Sequence, residues 1–379
     1  MAYRLSNATN MDITISGVGD ELGPSKILLV REPRVGLEGF LVVDNTACGP
    51  AIGGIRMASD VALGEVVRLA RAMTLKNAAA GIPHGGGKAG IIADPSLQGS
   101  QKEKIVRSFA HAIRELTEYI PGPDMGLNEE CMAWIKDEMG RAAGLPEVFG
   151  GIPLDEIGAT GFGLAIAAEV AAPYAGVELR GARFVVQGLG AVGRHAARFL
   201  VDRGARLVAA SDSQSAIRNA DGFALDALLA HKQHGRPLNQ FPDGTPLIGD
   251  ELIGVDCDIW IPAARPDVLN ETNIERLKAR LVLQGANIPA TSGAEHWMHE
   301  HGVISVPDFI ANAGGVICAS VEYHGGTRSQ AMTMIEDRVR SNTSTILEQT
   351  RKQHCTPRQA ALEMARSRVE QAMRYRRFS

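Results

Sequence analysis

One short segment, GLGAVG at residues 188–193, constrains the fold of this chain more than any other. It follows directly on an apolar run and opens an amphipathic run over 191–204. A GxGxxG sequence is a weak signal alone, but between a strand and a helix it is typical of a dinucleotide-binding βαβ unit. Such a unit uses Gly188 for a tight turn, Gly190 for close approach of a pyrophosphate, and Gly193 for packing of the helix on the strand. We therefore predict a Rossmann-type nucleotide-binding domain.

The helix that follows the glycines offers free N–H groups and a favourable dipole to a phosphate at its N-terminus. The residues predicted to contact the cofactor there are Gly188, Gly190, Ala191, Val192 and Gly193. Asp212 ends the next apolar run, about 20 residues on, where an acid accepts a hydrogen bond from a ribose 2′-OH and repels a 2′-phosphate. Ser213 follows it, and the nearest basic residue after that is Arg218. We predict NAD as the cofactor, with NADP not excluded because the serines on either side of the acid can accommodate a phosphate.

Apolar runs that alternate with helical patterns predict an α/β fold with a parallel sheet. In the first half of the chain, the patterns predict strands at 27–31, 40–44 and 90–94 and helices at 63–80, 102–119 and 128–142. In the second half, they predict a helix at 161–176 and strands at 205–212, 257–264, 281–287 and 302–308. Proline and glycine interrupt residues 145–158, which indicates a boundary between two domains. The last stretch, 331–379, is helical in pattern.

Composition excludes several classes of protein. The net charge is −4, with 39 basic and 43 acidic residues, which argues against a nucleic-acid-binding protein. Apolar runs fall short of the ~18 residues needed to span a bilayer, and the N-terminus has no apolar signal-peptide core. We therefore expect a cytoplasmic protein with no membrane partner. The five cysteines are scattered without metal-ligand spacing, so we expect free thiols and no metal site.

A second constellation of residues lies in the first half of the chain. Lys76 belongs to the predicted helix 63–80, and Lys88 follows three glycines in a segment that resembles a turn. Taken singly, each lysine is more typical of a solvated surface. Two ammonium groups in one partly dry cleft would repel, and repulsion and desolvation both lower a lysine pKa. Such a lysine can act as an acid or a base near neutral pH, and a nearby aspartate can relay the proton.

These motifs occur in an order that is similar to one known family. The segments GPAIGGIRM, LARAMTLKNAAAGIPHGGGKAG, GPDMGLNEECMAW, QGLGAVG and PDFIANAGGV run from about Gly49 to about Glu322. The chain thereby resembles the glutamate/leucine/phenylalanine/valine dehydrogenases. The resemblance implies reversible oxidative deamination of an L-amino acid to its 2-oxo acid and ammonia.

The resemblance also implies an architecture. It suggests a substrate-binding and oligomerisation α/β domain over 1–155, a Rossmann domain over 156–325, and a cleft between them. The C-terminal helices, 326–379, are expected to pack back on the first domain. A homo-oligomer is expected, from a dimer to a hexamer or octamer.

The resemblance assigns a role to individual residues. It implies that Lys76 holds the substrate α-carboxylate, that Lys88 activates water and stabilises an oxyanion, and that Asp124 shuttles protons. Three further residues are implied to contact the cofactor, one near its phosphates and two at the nicotinamide end: Thr160, Asn287 and Asn312. The substrate pocket is expected to contain Ile52, Gly53, Gly54, Gly122, Val316 and Ala319.

Two departures from the glutamate-specific members concern the substrate side chain. Ile52 stands where they have a lysine, and Ala319 stands where they have a serine. An unpaired buried carboxylate would cost ~3–5 kcal/mol, so we predict an apolar substrate such as leucine, valine, isoleucine or phenylalanine. The small Gly122 suggests room for a large side chain.

Three other hypotheses remain open. The first is a glutamate dehydrogenase. The second is a catalytically silent relative that binds an amino acid or NAD for regulation, against which the intact Lys76, Lys88 and Asp124 argue. The third, a hydroxy-acid dehydrogenase, would need a catalytic histidine with an acid partner, and the sequence offers no such setting.

Overall fold

The computed structural model describes residues 19–376, and their strands form two sheets. The first sheet has the order β1-β2-β4-β3-β5. Its strands are β1 (Lys26–Glu32), β2 (Leu37–Asn45), β3 (Ala51–Ala58), β4 (Gly85–Ile92) and β5 (Tyr119–Pro123). The pairs β1/β2 and β2/β4 are antiparallel, whereas β3 is parallel to both of its neighbours. The carboxyl end of β5 thereby lies beside the middle of β3, which in turn lies beside the middle of β4.

Helices cover both faces of this first sheet. They are α1 (Leu63–Ala80), α2 (Gly99–Ile113) and α3 (Glu129–Met139). One face packs against α2 and α3 through an apolar cluster that includes Phe109 and Ile135, and the other packs against Val66 and Ala70 of α1. Because α1 ends at Gly81, which has a φ of 66°, the chain can turn sharply from the helix into β4.

The second sheet has the order β12-β11-β10-β6-β7-β8-β9. Its strands are β6 (Arg183–Gln187), β7 (Arg206–Ser211), β8 (Ala216–Arg218), β9 (Thr245–Leu247), β10 (Ile259–Pro262), β11 (Leu281–Leu283) and β12 (Ile304–Val306). The strands from β12 to β7 are parallel, and β8 and β9 add an antiparallel edge. The strand order reverses at β6, between β10 and β7, and open α/β sheets bind ligands at such a switch point.

The helices of the second half pack around this sheet and return to the first. They are α4 (Ala159–Ala171), α5 (Ala191–Asp202), α6 (Leu225–Gln233), α7 (Ser292–Glu300), α8 (Asp308–Ala311), α9 (Gly314–Tyr323), α10 (Arg328–Gln353) and α11 (Pro357–Met373). The Arg368 guanidinium of α11 donates hydrogen bonds to the carbonyls of Ala78 and Ala79, at 3.0 and 2.7 Å. The C-terminal helix therefore contacts α1. Among residues 19–376, no helix is both long and apolar enough to cross a membrane.

The predicted two-domain α/β class is confirmed, but three details of the prediction are wrong. Neither sheet is wholly parallel. The predicted helix 102–119 ends at Ile113, and the chain then enters β5. Lys88, placed in a turn by the sequence pattern, lies inside β4. The glycines there serve strand packing, because a Cβ on Gly53 would lie 1.8 Å from the carbonyl oxygen of Gly87.

Candidate active site

The first sheet brings Lys88 and Asp124 together. Lys88 lies on β4 and Asp124 directly follows β5, with β3 between the two strands. The Nζ atom of Lys88 is 2.9 Å from Oδ2 of Asp124, and the lysine is 7% exposed. A Cβ on Gly54 of β3 would lie 3.3 Å from that Nζ and 2.8 Å from Cβ of Asp124, so the missing side chain makes room for the pair.

The charges around this pair favour ionisation of the carboxyl group. Burial opposes the charged form of Asp124, but Lys88 and Arg56 outweigh it and hold its pKa below the usual value. The Nε atom of Arg56 donates to Oδ2 of Asp124 at 3.0 Å, and Arg56 also pairs with Glu65. Burial lowers the pKa of Lys88, and the negative charge of Asp124 only partly offsets it. The two groups therefore titrate as a coupled unit.

Lys76 reaches across the cleft between the two sheets. It lies on α1, and its Nζ donates to Oδ1 of Asn312 at 2.7 Å. The side-chain amide of Asn312 in turn donates to Oδ1 of Asn287 at 3.1 Å. Burial lowers the pKa of Lys76 to about 8, with Asp308 opposing the change and Lys88 adding to it. A residue that the sequence assigned to the substrate, Lys76, and two that it assigned to the cofactor thus form one hydrogen-bonded series.

The glycines of GLGAVG have the geometry expected of a dinucleotide site. Gly188 has a φ of 98°, in the left-handed region that favours glycine. A Cβ on Gly193 would lie 2.0 Å from the carbonyl oxygen of Gly188, which explains the close contact of helix and strand. A Cβ on Gly190 would meet nothing within 4 Å, so open space lies where a pyrophosphate would approach. The residues therefore fit a dinucleotide, with Ala191 and Val192 in the first turn of α5.

A cleft of about 880 Å³ extends from these glycines past the end of β7. Its wall includes Gly188, Gly190, Ser211, Asp212, Ser213, Lys232 and Arg265. The volume of this cleft is suited to the adenosine end of a dinucleotide.

Thr160 lies in the first turn of α4, at the N-terminus of the helix.

Asp212 has a partner that the sequence argument missed. Its Oδ1 accepts backbone N–H groups of Gln214 and Ser215, at 2.9 and 3.0 Å, and its Oδ2 accepts from Lys232 at 2.9 Å. These contacts outweigh burial and hold the pKa of Asp212 below its usual value. The sequence neighbour Arg218 was the wrong cation to consider, because Lys232 reaches the acid from α6.

The expected substrate pocket lies where α9 meets the first sheet. Ile52 of β3 packs with Ile120 and Ala143, and Ala319 of α9 lies against this cluster. A Cβ on Gly122 would meet only the carbonyl oxygen of Ala143, at 4.0 Å, so there is space above β5. Val316, one turn before Ala319 on α9, is half-buried.

Two polar residues at the site were not singled out from the sequence. Arg56 closes the GPAIGGIR motif, but nothing in the motif alone shows that it contacts Asp124. Glu322 is buried on α9, and its carboxylate accepts N–H groups from Gly144, Leu145 and Ile152 at 2.7, 3.0 and 2.9 Å. The only sequence feature that pointed to Glu322 was that an acidic residue interrupts an otherwise apolar helical segment. Within residues 19–376, no cluster of three metal-ligating side chains is present.

The fold and the site together define a dehydrogenase of the nicotinamide dinucleotide type. The family model "Glutamate/Leucine/Phenylalanine/Valine dehydrogenase" matches residues 150–377. The model "Glu/Leu/Phe/Val dehydrogenase, dimerisation domain" matches residues 24–141. The chain belongs to this family, whose members are NAD(P)-dependent amino acid dehydrogenases, so it is an oxidoreductase.

Individual relatives agree with this assignment. An NADP-specific glutamate dehydrogenase of Saccharolobus shibatae is 35% identical, with 99% of this chain and 94% of the relative covered. A hetero-hexameric glutamate dehydrogenase of Thermus thermophilus, solved in a Leu-bound form, has a TM-score of 0.81 at 29% identity, covering 93% of this chain and 90% of that one. The L-tryptophan dehydrogenase of Nostoc punctiforme has a TM-score of 0.74 at 25% identity, covering 93% and 98%.

Proposed function

We propose that this protein catalyses the reversible oxidative deamination of an L-amino acid to its 2-oxo acid and ammonia. The observation that carries the proposal is the buried Lys88–Asp124 pair, 2.9 Å apart, beside Lys76 at a cleft that leads to a dinucleotide cradle. An ammonium that can bind a carboxylate and a coupled acid–base pair are the groups that this reaction requires.

Lys76 is proposed to hold the α-carboxylate of the substrate. Its ammonium now donates to the amide oxygen of Asn312, which is neutral. A carboxylate in that place forms a charge-assisted hydrogen bond, which is roughly twice as strong as a neutral one. The ammonium is the form that binds, so substrate binding depends on the protonation of Lys76. Asn312 and Asn287 are proposed to orient the nicotinamide end beside it.

Lys88 and Asp124 are proposed to move the protons. A bound nicotinamide dinucleotide supplies the acceptor for the hydride that leaves Cα. Asp124 takes a proton from the substrate ammonium, and Lys88 polarises the water that adds to the resulting imino carbon and stabilises the oxygen anion that develops. Both cations contact Oδ2 of Asp124, so we assign the proton transfer to Oδ1. Asp124 returns its proton to the nitrogen, the two protons of the added water pass to solvent through the Lys88–Asp124 pair, and the C–N bond breaks to release ammonia and leave the 2-oxo acid.

NAD is the proposed cofactor, because Asp212 directly follows β7, where its carboxylate could accept a hydrogen bond from a ribose hydroxyl. Gly188, Gly190, Ala191, Val192 and Gly193 are proposed to bind the pyrophosphate, with Thr160 close to the phosphates. Ser213 is proposed to contact the ribose. The S. shibatae relative is named NADP-specific. Because that specificity belongs to the relative, it supports a nicotinamide dinucleotide as the cofactor and does not decide between NAD and NADP for this chain.

Two candidate substrates are supported by different observations. The names of the S. shibatae and T. thermophilus relatives fit glutamate better than leucine or valine, so glutamate is the first candidate. The pocket residues favour a second candidate, an amino acid with a large apolar side chain. Ile52 and Ala319 offer no charge to a side-chain carboxylate, and the buried carboxylate of Glu322 lies one turn further along α9. The named tryptophan dehydrogenase shows that the fold accommodates such a substrate.

The assembly is proposed to be a homo-oligomer. The matched N-terminal model is a dimerisation domain, and the T. thermophilus neighbour is described as hexameric. The domain limits 1–155, 156–325 and 326–379 and a cytoplasmic location stay predictions. Size-exclusion chromatography with light scattering measures the oligomer directly.

A panel of L-amino acids with NAD tests the proposal, with reduced cofactor followed by absorbance. Turnover of at least one amino acid, with release of ammonia, is the expected result. If the pocket residues decide the substrate, kcat/KM for phenylalanine, tryptophan or methionine exceeds that for glutamate by at least about a hundredfold, as a few kcal/mol implies. A preference for glutamate would leave the reaction intact and refute the pocket argument. No turnover of any amino acid would refute the proposed function.

A further inference from the structure

The first turn of α11 carries a guanidinium that joins three buried side chains. The Nε atom of Arg358 donates to both carboxylate oxygens of Glu295, at 2.8 and 2.7 Å. Its Nη2 atom donates to Oδ1 of Asp308 at 2.8 Å and to Oε1 of Gln284 at 2.9 Å. The three acceptor residues are buried, whereas the arginine side chain is 23% exposed. A buried carboxylate requires a charged partner, so Arg358 determines where both acids lie.

One branch of this network leads to the candidate active site. The Oδ2 atom of Asp308 accepts the backbone N–H of Ile288 at 2.9 Å. Asp308 also begins α8, and its carbonyl oxygen accepts the backbone N–H of Asn312 at 2.7 Å. Asn287 directly precedes Ile288, so both asparagines of the cleft are held from Asp308.

The backbone at Ile288 depends on such contacts. Its φ is 47°, in the left-handed region that a β-branched residue rarely adopts. The residue is 57% exposed, so core packing does not fix it. Its N–H donates to Asp308, and its carbonyl oxygen accepts the N–H of Asp267 at 2.9 Å. A backbone in this region persists only where its surroundings impose it, so loss of the Asp308 contact should release the turn that carries Asn287.

The other branch of the network leads away from the cleft. Glu295 lies on α7, and its carboxylate also accepts the side-chain amide of Gln284 at 2.7 Å. That amide donates further to the hydroxyl of Ser305 at 3.0 Å. This branch has a buried acid of the same kind but includes neither asparagine, so it supplies an internal control.

We propose that Arg358 is a positioning residue, which acts through Asp308 to fix Asn287 and Asn312 for the nicotinamide end of the cofactor. This inference deepens the proposed function and rests on it. Hydride transfer needs closely defined geometry, and a displacement of about 1 Å can lower a rate by about 10²-fold. Removal of the guanidinium should therefore slow the hydride step, although Arg358 acts only through other residues.

Hydrogen–deuterium exchange of the free protein tests the attachment without any cofactor. The variants are Arg358→Ala and Asp308→Asn, with Glu295→Gln as the internal control and Arg366→Ala as a control for an exposed arginine of the same helix. Mass spectrometry follows the peptide that contains Ile288. Its amide should exchange at least ~10-fold faster in the first two variants and within about threefold of the wild type in the controls, because only the first two release that N–H.

Steady-state kinetics test the consequence for the hydride step. The substrates are L-glutamate and L-phenylalanine at saturating concentration with NAD, each with hydrogen or deuterium at Cα. Arg358→Ala and Asp308→Asn should lower kcat by at least ~10-fold, with a deuterium isotope effect at least as large as that of the wild type. Glu295→Gln and Arg366→Ala should retain both values. Millimolar guanidinium should restore part of the kcat of Arg358→Ala and leave Arg366→Ala unchanged.

Several outcomes would overturn the inference. Unchanged exchange at Ile288 in Arg358→Ala would refute the attachment, and a kcat within about threefold of the wild type would refute its effect on the reaction. An equal fall of kcat in Glu295→Gln and Asp308→Asn would show that the network is merely structural. A fall of kcat with loss of the isotope effect would place the defect in another step. If Arg358→Ala does not fold, Asp308→Asn decides the question.

Failure of the proposed function would be recognised separately. A wild-type protein that turns over neither amino acid would refute that function in both of its candidate forms, and the inference would fail with it. An active wild type beside an equally active Arg358→Ala would refute the inference alone.

Discussion

Replacing Lys88 by methionine should abolish most of the turnover while leaving dinucleotide binding intact. The ammonium is 2.9 Å from Asp124 and lies on the first sheet, whereas the GLGAVG turn belongs to the second. A positioned acid–base group contributes roughly 10²–10⁴-fold to a rate, so kcat should fall by about that factor. Methionine has a similar length, and Arg56 remains to pair Asp124, so the fold should survive.

The assay is the initial rate of cofactor reduction at saturating amino acid, with NAD binding measured by calorimetry. Lys104→Met is the matched control, because Lys104 is an exposed lysine on α2. The control should retain wild-type kcat. A Lys88→Met protein with kcat within about threefold of the wild type would refute the assigned role of this residue. A loss of NAD affinity together with kcat would show that the substitution disturbs the whole cleft.

The remaining predictions concern four other residues. Asp124→Asn should lower kcat by ~10²-fold or more, because an amide cannot carry the proton. Steady-state kinetics, measured alongside the Lys88 variant, test this, and an unchanged kcat would refute it. The pKa of Lys76 is lowered to about 8, so its ammonium is present below that pH and is lost above it. The KM for the amino acid should therefore rise above about pH 8. Lys76→Arg should remove this rise, because arginine stays charged. Ile52→Lys should raise kcat/KM for glutamate and lower it for phenylalanine, and a panel showing no change in this ratio would mean that Ile52 does not line the side-chain pocket. Glu322→Gln should destabilise the protein by about 1–3 kcal/mol, since an amide cannot accept all three N–H groups as a carboxylate does; an unchanged thermal midpoint would contradict this.

Local patterns predicted the elements whose formation depends on neighbouring residues. The helix expected at 63–80 is α1, Leu63–Ala80, because its apolar spacing and its terminal glycine are both local signals. The turn, helix and strand around GLGAVG were predictable for the same reason. A Cβ on Gly188 would lie 2.6 Å from Cβ of Ala264, and a Cβ on Gly193 would lie 2.0 Å from the carbonyl oxygen of Gly188, whereas Gly190 faces open space.

The features that the local sequence patterns did not predict depend on tertiary packing. The glycines of β3 and β4 resemble turns in sequence, but they allow two strands and the Lys88–Asp124 pair to approach closely. Arg56 and Lys232 meet their carboxylates across 68 and 20 residues, and no spacing rule links such distant positions. The hydrogen-bonded series Lys76–Asn312–Asn287 joins both halves of the protein. It forms only when α1 packs against α8 and α9, so the sequence alone does not predict it.

The central claim is that a hydride leaves Cα of an amino acid and reaches a dinucleotide held by this chain. The direct measurement is mass spectrometry of the reduced cofactor after turnover of an amino acid deuterated at Cα, with ammonia measured in the same sample. The account predicts one deuterium in each reduced cofactor and one ammonia released for each, with both products formed at least about 100-fold more slowly by Lys88→Met. Deuterium released to water without cofactor reduction, or binding of amino acid and NAD without any product, would contradict it.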